Sequence, residues 1–556
     1  MANKKWFQDS VVYQVYPMSF QDSNNDGVGD LSGIVQRLPY LKKLGVDVIW
    51  LNPIYKSPNK DNGYDISDYK SINPTYGTMV DFDNLLSQIH KQGLKLMMDL
   101  VVNHTSDQHK WFKESRKSKD NKYSDYYIWR DPVDGHEPNN WRAAFGGPAW
   151  TYVPQRGQYY LHLFAPGQPD LNWENPQVRE SVWDIMRFWL DKGVDGFRMD
   201  VINLISKPAG LPDAPAPAMY PEVEALVADG PKLNDYLHEM NEKVLSHYDV
   251  MTVGEMPSSK AEDAVDYTSL KEDELNMVFQ FQHVSLAPNP NPKLGKWNDQ
   301  PVKLTELKEA LGHWQKALDG KGWNSLYWNN HDQPRAVSRF GNDSPKYREV
   351  SAKMLGTTLH MLQGTPFVFE GEELGMTNVH YTDLNQYEDL ESINFYHELV
   401  DQDKIIDGKT MLKYLAHISR DNARTPMQWD SGLNAGFSKV EPWFALNPNY
   451  KQINTEEELK DQNSVFYYYQ KLIRLRHDNE VIRYGNYEEI DPQDDQVFSY
   501  RRNYKGQAIL VISNFTDQTL SRDYGQGKAN ELLISNYDDD KGAELRPYES
   551  KVYLFR

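Results

Sequence analysis

Short apolar and β-branched runs alternate with helical patterns from the start of the chain to about residue 370. This alternation constrains the fold most, because a strand, a helix and another strand in succession pack as a parallel sheet. Eight such strands predict a sheet that closes on itself. The predicted strands are 11–17, 46–53, 94–104, 194–201, 250–256, 276–283, 324–332 and 365–373.

The chain has 556 residues, which is more than one hydrophobic core usually supports. We predict an α/β protein whose (β/α)8 TIM barrel comprises residues 1–104 and 175–480. Residues 105–174 are rich in Gly, Pro, Trp and Tyr, too long for a loop, and predict a small domain inserted after the third strand. Residues 481–556 show strands only and predict a C-terminal antiparallel β-sandwich.

The segment after the insertion carries clear helix signals. Pro176 stands near its start, Gly193 at its end, and apolar residues recur at helical spacing between them. We therefore predict an amphipathic helix that packs on the barrel.

The run "GFRMDV" at 196–201 places Arg198 and Asp200 two positions apart in an apolar strand. Side chains alternate along a strand, so both point the same way. Burial of two charges is costly unless they pair with each other or with a ligand. An internal ion pair and a catalytic site are the two interpretations.

Further acids stand at predicted strand ends. Asp99 lies late in the third strand, Glu255 ends the fifth and Asp332 ends the seventh. Catalytic groups of such barrels gather at the C-terminal ends of the strands. Glycoside hydrolysis needs two carboxyls in different protonation states, and Asp200 and Glu255 are the candidates. Arg198 is expected to keep Asp200 ionised.

The composition excludes several classes of partner. A formal net charge of -20 argues against nucleic acid and anionic membranes, which are bound through excess Lys and Arg. The absence of cysteine excludes disulfides and thiolate metal sites. We expect a small uncharged substrate, no organic cofactor, and a cytoplasmic monomer or weak homo-oligomer, since the opening residues lack the apolar stretch of a signal peptide.

Five motifs together resemble the α-amylase family of glycoside hydrolases. They are "DLVVNH" at 99–104, "QPDLN" at 168–172, "GFRMDVIN" at 196–203, "VGEM" at 253–256 and "NNHD" at 329–332. Within the family the chain is most similar to the group of oligo-1,6-glucosidases, dextran glucosidases and α-glucosidases. The resemblance implies a retaining mechanism with Asp200 as nucleophile, Glu255 as general acid/base and Asp332 as the acid that holds and strains the sugar.

The resemblance also implies a set of substrate-binding residues. Tyr64 would stack beneath the innermost sugar, and Arg424 would pair with Asp65 to close the pocket, which implies attack at a chain end. The full set comprises Tyr64, Asp65, His104, Phe164, Gln168, Arg198, Val201, His331 and Arg424.

The stretch "DSNNDGVGD" at 22–30 follows the first part of a calcium loop. The side chains of Asp22, Asn24, Asp26 and Asp30 and the carbonyl of Val28 would supply oxygen ligands. The acid expected at the twelfth position is missing, so a polar Asx-turn loop is the alternative. The family resemblance favours structural calcium, or magnesium.

Val201, directly after the proposed nucleophile, resembles the α-1,6-specific members of the group, so we predict hydrolysis of isomaltose and isomalto-oligosaccharides from the non-reducing end. Trehalose-6-phosphate hydrolase is the nearest alternative, because its members also resemble "VINLISK" at 201–207. An α-1,4-glucosidase, a sucrose isomerase and a non-catalytic transporter-associated barrel are further alternatives. Glu370 stands where the group usually has Gln.

Overall fold

This computed structural model describes residues 4–271 and 273–556, so the first three residues of the predicted barrel segment, and residue 272, lie outside the described residues. Eight parallel strands form one sheet in the order β6-β5-β4-β3-β2-β1-β8-β7. They are β1 (Val12–Val15), β2 (Val48–Leu51), β3 (Lys95–Val101), β4 (Gly196–Asp200), β5 (Met251–Met256), β6 (Met277–Gln280), β7 (Ser325–Leu326) and β8 (Thr365–Phe369).

A helix follows each strand and covers the outside of the sheet, which confirms the (β/α)8 prediction. These helices are α1 (Leu31–Leu44), α2 (Met79–Lys91), α3 (Pro176–Lys192), α4 (Leu233–Lys243), α5 (Ala261–Tyr267), α6 (Leu304–Leu318), α7 (Arg348–His360) and α8 (Val465–Asp478).

Side chains join the two end strands of the sheet. The Ser325 hydroxyl donates to the Val278 carbonyl at 2.7 Å, and the Tyr327 hydroxyl donates to the Gln280 carbonyl at 2.5 Å. The barrel is therefore nearly closed between β6 and β7.

All eight predicted strands exist, but each is shorter than its apolar run. The seventh shrinks from 324–332 to Ser325–Leu326. Trp328 and His331 beyond it are still buried. Trp328 packs against α7, where its ring N–H donates to the Leu355 carbonyl, and His331 stacks on Tyr64 in the barrel mouth. The apolar pattern in the sequence reflects burial, and the buried residues continue beyond those that form strand hydrogen bonds.

The α3 helix matches its sequence signals. The Asn175 side chain accepts a hydrogen bond from the Gln177 N–H at the start, and Gly193 ends the helix in the left-handed region with φ of 104°. Only glycine adopts that conformation without strain. The predicted apolar stripe is buried against the barrel.

Four smaller antiparallel sheets accompany the barrel sheet, and one of them is the pair Tyr55–Lys56 and Asp68–Ile72 in the loop after β2. An antiparallel three-stranded sheet comprises Trp129–Arg130, Trp150–Val153 and Gln158–Leu161 and lies within the predicted insertion. The C-terminal part forms a five-stranded antiparallel sheet in the order β9-β10-β11-β13-β12, together with a two-stranded ribbon of Leu520–Ser521 and Glu544–Leu545. Its strands are β9 (Asn486–Ile490), β10 (Val497–Tyr504), β11 (Gln507–Asn514), β12 (Glu531–Ser535) and β13 (Ser550–Phe555).

The division of the chain at 104, 174 and 480 stays a prediction.

Smaller helices lie in the loops at the mouth and the ends of the barrel. They are Trp6–Asp9, Pro17–Phe20, Lys110–Ser115, Tyr220–Val227, Ala336–Phe340, Leu390–Tyr396, Gly408–Ile418, Asp421–Arg424, Thr455–Glu458 and Glu480–Tyr484, with one π-helix at His397–Gln402. Within the described part of the chain, every helix is too short or too polar to cross a membrane.

Candidate active site

The β4 strand brings a cation and an acid to the inside of the barrel mouth. Arg198 Nη1 contacts Asp200 Oδ1 at 2.8 Å, and the same nitrogen contacts Asp99 Oδ1 at 2.7 Å. Asp99 stands beside Arg198 in the ladder between β3 and β4. All three side chains are buried. The charged pair seen in the sequence is therefore part of a larger cluster of charges.

Glu255, from β5, is the third acid in contact with this arginine. Its Oε1 lies 2.5 Å from Arg198 Nη2. Its Oε2 accepts a hydrogen bond from the Val201 backbone N–H at 3.1 Å. The structure therefore brings Asp200 and Glu255 to one guanidinium group.

Burial gives these two carboxyls higher pKa values than exposed acids have. It raises the pKa of Asp200 to about 7 and that of Glu255 to about 8, although Arg198 lowers both. The expected influence of Arg198 on Asp200 has the right sign, but burial has the larger effect. Glu255 keeps its proton to a higher pH than Asp200, the order that an acid and a nucleophile need.

One carboxylate oxygen of Asp200 accepts a hydrogen bond from the protein, and the other is free of such bonds within the described residues. Its Oδ1 accepts from Arg198, while no group in residues 4–271 and 273–556 donates to its Oδ2. The side chain is 10% exposed. A carboxylate fixed through one oxygen is oriented to attack through the other.

The backbone at Val201 is strained. Its φ of 35° and ψ of 44° lie in the left-handed region, which is unfavourable for a β-branched residue. This conformation starts the short 3₁₀ turn Ile202–Leu204 and directs the Val201 N–H to Glu255. The residue after the proposed nucleophile thus positions the proposed acid.

His331 and Tyr64 stack on one side of the pocket, with ring centroids 5.2 Å apart and planes 4° apart. The Tyr64 hydroxyl donates to Asp99 Oδ2 at 3.0 Å. Burial lowers the pKa of His331 to about 4, so its ring is neutral at pH 7. The Gln14 amide lies 2.9 Å from Nδ1, which assigns the ring proton to Nε2, 3.0 Å from Asp332 Oδ2.

Asp332 lies at the edge of the pocket with 26% of its side chain exposed. Its Oδ1 contacts Arg424 Nη2 at 2.8 Å and Arg420 Nη1 at 3.1 Å. Burial raises its pKa, but His331 and the two arginines outweigh burial and hold the pKa well below its usual range. Asp332 is therefore an ionised acid that faces the site.

The predicted pair of Asp65 and Arg424 is wrong. Asp65 is fully buried and accepts hydrogen bonds from the N–H groups of Lys60 at 3.0 Å and Asp61 at 3.1 Å. Arg424 contacts Asp332 and Asp389 instead. Asp65 therefore fixes the backbone of its own loop.

Asp61 and Arg420 take the places predicted for Asp65 and Arg424. Arg420 Nη2 lies 3.4 Å from Asp61 Oδ1. The Gln168 amide donates to Asp61 Oδ2 at 2.9 Å. Burial raises the pKa of Asp61 to about 7, although the nearby arginines lower it.

The sequence contained a signal for both missed residues. Asp61 precedes Asp65 by four positions in "DNGYD", and Arg420 precedes Arg424 by four positions in "RDNAR". Each motif therefore holds two residues of the same type. The motif letters do not tell which of the two faces the pocket.

His104, Phe164 and Gln168 support Tyr64 from the side of the insertion. His104 Nε2 lies 3.0 Å from the Tyr64 carbonyl, and the Gln168 amide donates to that carbonyl at 3.2 Å. Burial lowers the pKa of His104 to about 4. The Phe164 ring contacts the His104 ring at 5.2 Å between centroids. These predicted residues do converge on the pocket.

The predicted calcium loop packs against residues 437–443. Asp22 accepts from the N–H groups of Asn24, Asn25 and Gly27, and Asp30 caps α1. Asp26 accepts from the Val28 N–H at 2.9 Å. Among residues 4–271 and 273–556 no three His, Asp or Glu side chains are grouped to hold a metal. The oxygen-only donor set suits calcium or magnesium, and the ion stays a prediction.

Glu370 follows β8 and is buried. Its Oε2 accepts from the Tyr16 N–H at 2.7 Å, while its Oε1 has no hydrogen-bond partner in the described part of the chain. Burial raises its pKa well above the usual range. A protonated carboxyl carries no charge, so Glu370 resembles in this respect the Gln that the oligo-1,6-glucosidase group usually has at this position.

The family model described as "Alpha amylase, catalytic domain" matches residues 14–485. An oligo-1,6-glucosidase of Halalkalibacterium halodurans is 54% identical, with 99% of each chain covered. The solved structure of a Bacillus licheniformis trehalose-6-phosphate hydrolase is 47% identical with a TM-score of 0.93, and both chains are fully covered. That of an Erwinia rhapontici isomaltulose synthase, also fully covered, is 42% identical with a TM-score of 0.96.

The family match covers most of the chain, and the relative aligns from end to end at more than half identity. The motifs, the barrel and the clustered acids agree with it. This chain belongs to the alpha-amylase family of glycoside hydrolases.

Proposed function

We propose that the protein is a retaining α-glucosidase of the oligo-1,6-glucosidase type, which releases glucose from the non-reducing ends of isomaltose and isomalto-oligosaccharides. The observation that carries the mechanism is the contact of Arg198 with both Asp200 and Glu255, at 2.8 and 2.5 Å. Retaining enzymes place their two carboxyls roughly 5–5.5 Å apart, whereas inverting enzymes leave room for a water. Two carboxyls on one guanidinium favour retention.

In the first step the open Oδ2 of Asp200 attacks the anomeric carbon of the terminal glucose. Glu255 gives its proton to the glycosidic oxygen as the bond to the leaving sugar breaks. The product is a glucosyl ester of Asp200 and a free sugar. Arg198 stabilises the carboxylate of Asp200 before the attack and that of Glu255 after the proton transfer.

In the second step Glu255, now ionised, takes a proton from a water that attacks the same anomeric carbon. The ester bond to Asp200 breaks, and glucose leaves with its original anomeric configuration. Asp332 and the neutral His331 lie where they would hold ring hydroxyls, and Tyr64 offers an apolar face to the sugar.

The contacts around Arg420 support attack at a chain end. Its guanidinium bridges Asp61 and Asp332 and lies 4.9 Å over the Phe145 ring of the insertion. Arg142 of the predicted insertion pairs with Glu398 in the segment after β8. These contacts close the pocket beyond the innermost sugar, so only the end of a sugar chain would fit.

Charge balance favours a neutral substrate over trehalose-6-phosphate. Arg420 and Arg424 both contact Asp389 and Asp332, and Lys296 pairs with Glu391 at 2.7 Å. A phosphate needs cations that are not already neutralised. Because acids already neutralise Arg420, Arg424 and Lys296, these three cations are not available to bind a phosphate.

Glucose release from isomaltose, maltose, trehalose-6-phosphate and sucrose, at equal enzyme concentration with Asp200→Asn as the blank, tests the proposal. Preferential cleavage of isomaltose, lost in the blank, is expected. Preference for the phosphorylated sugar or for maltose would overturn the substrate, isomerised sucrose would indicate a sucrose isomerase, and no activity on any sugar would indicate a non-catalytic barrel.

We also propose structural calcium, or magnesium, held by Asp22, Asn24, Asp26, Asp30 and the carbonyl of Val28. An ion would offset the repulsion among three carboxylates in one loop and stabilise the start of α1. Thermal unfolding with and without a chelator tests this. A lower melting temperature with chelator that calcium restores is expected, and an unchanged temperature would contradict the proposal.

The cytoplasmic location and the state of a monomer or weak homo-oligomer are proposed from the sequence. Sedimentation at several protein concentrations and fractionation of the source cells test them. A stable large oligomer, or recovery with membranes, would contradict them.

A further inference from the structure

The helix Tyr220–Val227 packs against the turn that follows the proposed nucleophile and contacts the loop after the proposed acid. Its buried residues Val223 and Val227 belong to the same apolar cluster as Val201 and Leu204, which follow the proposed nucleophile. Directly after the helix, the Asp229 carboxylate accepts a hydrogen bond from Ser259 at 2.8 Å. The helix is thus fixed to the loops after β4 and β5.

Two side chains on this helix have no role in the chemistry described above. Tyr220 and Glu224 lie one turn apart and flank the buried Val223. Both are half-buried, so a ligand can reach them. The exposed Glu222 on the same helix points away from the apolar cluster.

Contacts place this pair on the acid side of the pocket. Glu224 Oε1 accepts a hydrogen bond from the hydroxyl of Ser258, three residues beyond Glu255. The Tyr220 ring lies 6.3 Å from the Phe164 ring, and Phe164 contacts His104. The side chains therefore span from the Glu255 loop to the insertion.

The leaving sugar must lie on the side of Glu255, because that group protonates the leaving oxygen. In an α-1,6 linkage this oxygen is a primary alcohol, so the leaving ring stands one bond further out than in an α-1,4 linkage. Glu224 and Tyr220 lie near Glu255: burial raises the pKa of each, and the charge of Glu255 raises both further. A carboxylate there can accept from sugar hydroxyls, and a phenol ring can cover an apolar sugar face.

We propose that Glu224 and Tyr220 form the subsite that binds the leaving glucose of an α-1,6-linked substrate. The inference rests on the proposed function and deepens it. Glu224 binds a hydroxyl of the leaving glucose, and Tyr220 bounds the ring beside Phe164. Both act on binding of the leaving sugar and leave the reacting atoms to Asp200 and Glu255.

The test compares isomaltose with p-nitrophenyl α-glucoside, whose leaving group carries no sugar hydroxyls. Loss of a hydrogen bond to a charged group lowers binding by about 10-fold to 100-fold. Glu224→Ala should lower kcat/KM for isomaltose by about that factor, mainly through KM, and the ratio of isomaltose to aryl glucoside kcat/KM by at least ~10-fold. Glu224→Gln, which keeps the shape and removes the charge, should give a smaller change in the same direction.

Glu222→Ala, on the exposed face of the same helix, is the matched control and should leave both activities within about twofold. Equal losses for both substrates in the Glu224 variants would show a structural role and overturn the inference, as would an unchanged ratio. If the wild type cleaved neither substrate, the proposed function itself would fail, which is a different result.

Discussion

Two regions of this molecule bury cations, and they do so by different means. In the barrel mouth Arg198 contacts three carboxyl groups, those of Asp99, Asp200 and Glu255. Its Nε still lacks a hydrogen-bond partner among the described residues. At the seam between the barrel and the C-terminal sheet, Arg476 and Arg502 are equally buried but donate to backbone carbonyls.

The seam is built on the end of a helix. Arg476 donates to the carbonyls of His360 at 2.7 Å and Leu362 at 3.0 Å, and also to that of Gly364. Arg502 donates to the Met361 carbonyl at 2.6 Å. These carbonyls follow the end of α7, where the helix dipole is negative. Each cation therefore satisfies groups that would otherwise be buried without partners.

The buried arginines at the seam serve stability, whereas the buried arginine in the barrel mouth serves the proposed chemistry. At the seam the cations meet neutral acceptors and hold two parts of the chain together. In the mouth, burial raises the pKa values of Asp200 and Glu255 by more than Arg198 lowers them, and one oxygen of Asp200 stays open. The same residue type thus stabilises one region and keeps the other reactive.

The largest effect should come from the mouth. Asp200→Asn keeps the shape but removes the nucleophilic charge, and kcat/KM for isomaltose should fall by ~10⁴-fold or more. The melting temperature of the variant should stay close to that of the wild type, because Arg198 keeps Asp99 and Glu255 as partners. Residual activity above a hundredth of the wild type would rule out Asp200 as the nucleophile.

The second prediction tests the corrected pair in the pocket. Asp61→Asn removes a charge that faces Arg420, and kcat/KM for isomaltose should fall by about 100-fold. Asp65→Asn, its matched partner, should mainly lower the melting temperature, since Asp65 accepts from backbone N–H groups. Kinetics and thermal unfolding of both variants provide the check, and the reverse pattern would show that Asp65, not Asp61, acts in the pocket.

The third prediction concerns the seam. Arg476→Met leaves buried carbonyls without a donor, so the free energy of unfolding should fall by about 3 kcal/mol. The kcat/KM measured well below the unfolding temperature should stay within about twofold. Arg474→Met is the control on the same helix, because Arg474 is 83% exposed. Equal stability of the two variants would contradict the structural role of Arg476.

The fourth prediction is a bell-shaped pH profile. Activity on isomaltose should fall below about pH 7 as Asp200 gains a proton, and above about pH 8 as Glu255 loses its proton. An aryl glucoside with a good leaving group needs no acid in the first step, so its alkaline loss should be weaker. Identical alkaline limbs for the two substrates would argue against Glu255 as the acid.

The smallest effect should come from Val201. Val201→Ala should raise the ratio of maltose to isomaltose kcat/KM by a few-fold, since one or two methyl groups contribute about 1–3 kcal/mol to discrimination at most. Paired kinetics with both sugars measure this. An unchanged ratio would remove Val201 from the determinants of linkage preference.

Much of the fold could be predicted because each signal is local. The α3 helix has its cap, its proline, its apolar stripe and its terminal glycine within one segment, and the strands of the barrel follow each other in order. The strand ends could not be predicted, because residues such as Trp328 are buried in loops that the apolar pattern does not distinguish from strands.

The candidate site could be predicted in part. The pairing of Arg198 with Asp200 follows from the period of a strand, but its contact with Glu255 depends on the register of β4 and β5. The left-handed backbone of Val201 has no sequence signal. The choice of Asp61 over Asp65 depends on how one loop turns, and both residues satisfy the motif equally well.

The central claim is that Asp200 and Glu255 act as a retaining pair. The most direct test follows the hydrolysis of isomaltose by proton NMR, at early times before the released glucose mutarotates, and identifies its anomer. We expect α-glucose as the first product. Initial β-glucose would contradict retention and the roles assigned to both carboxyls.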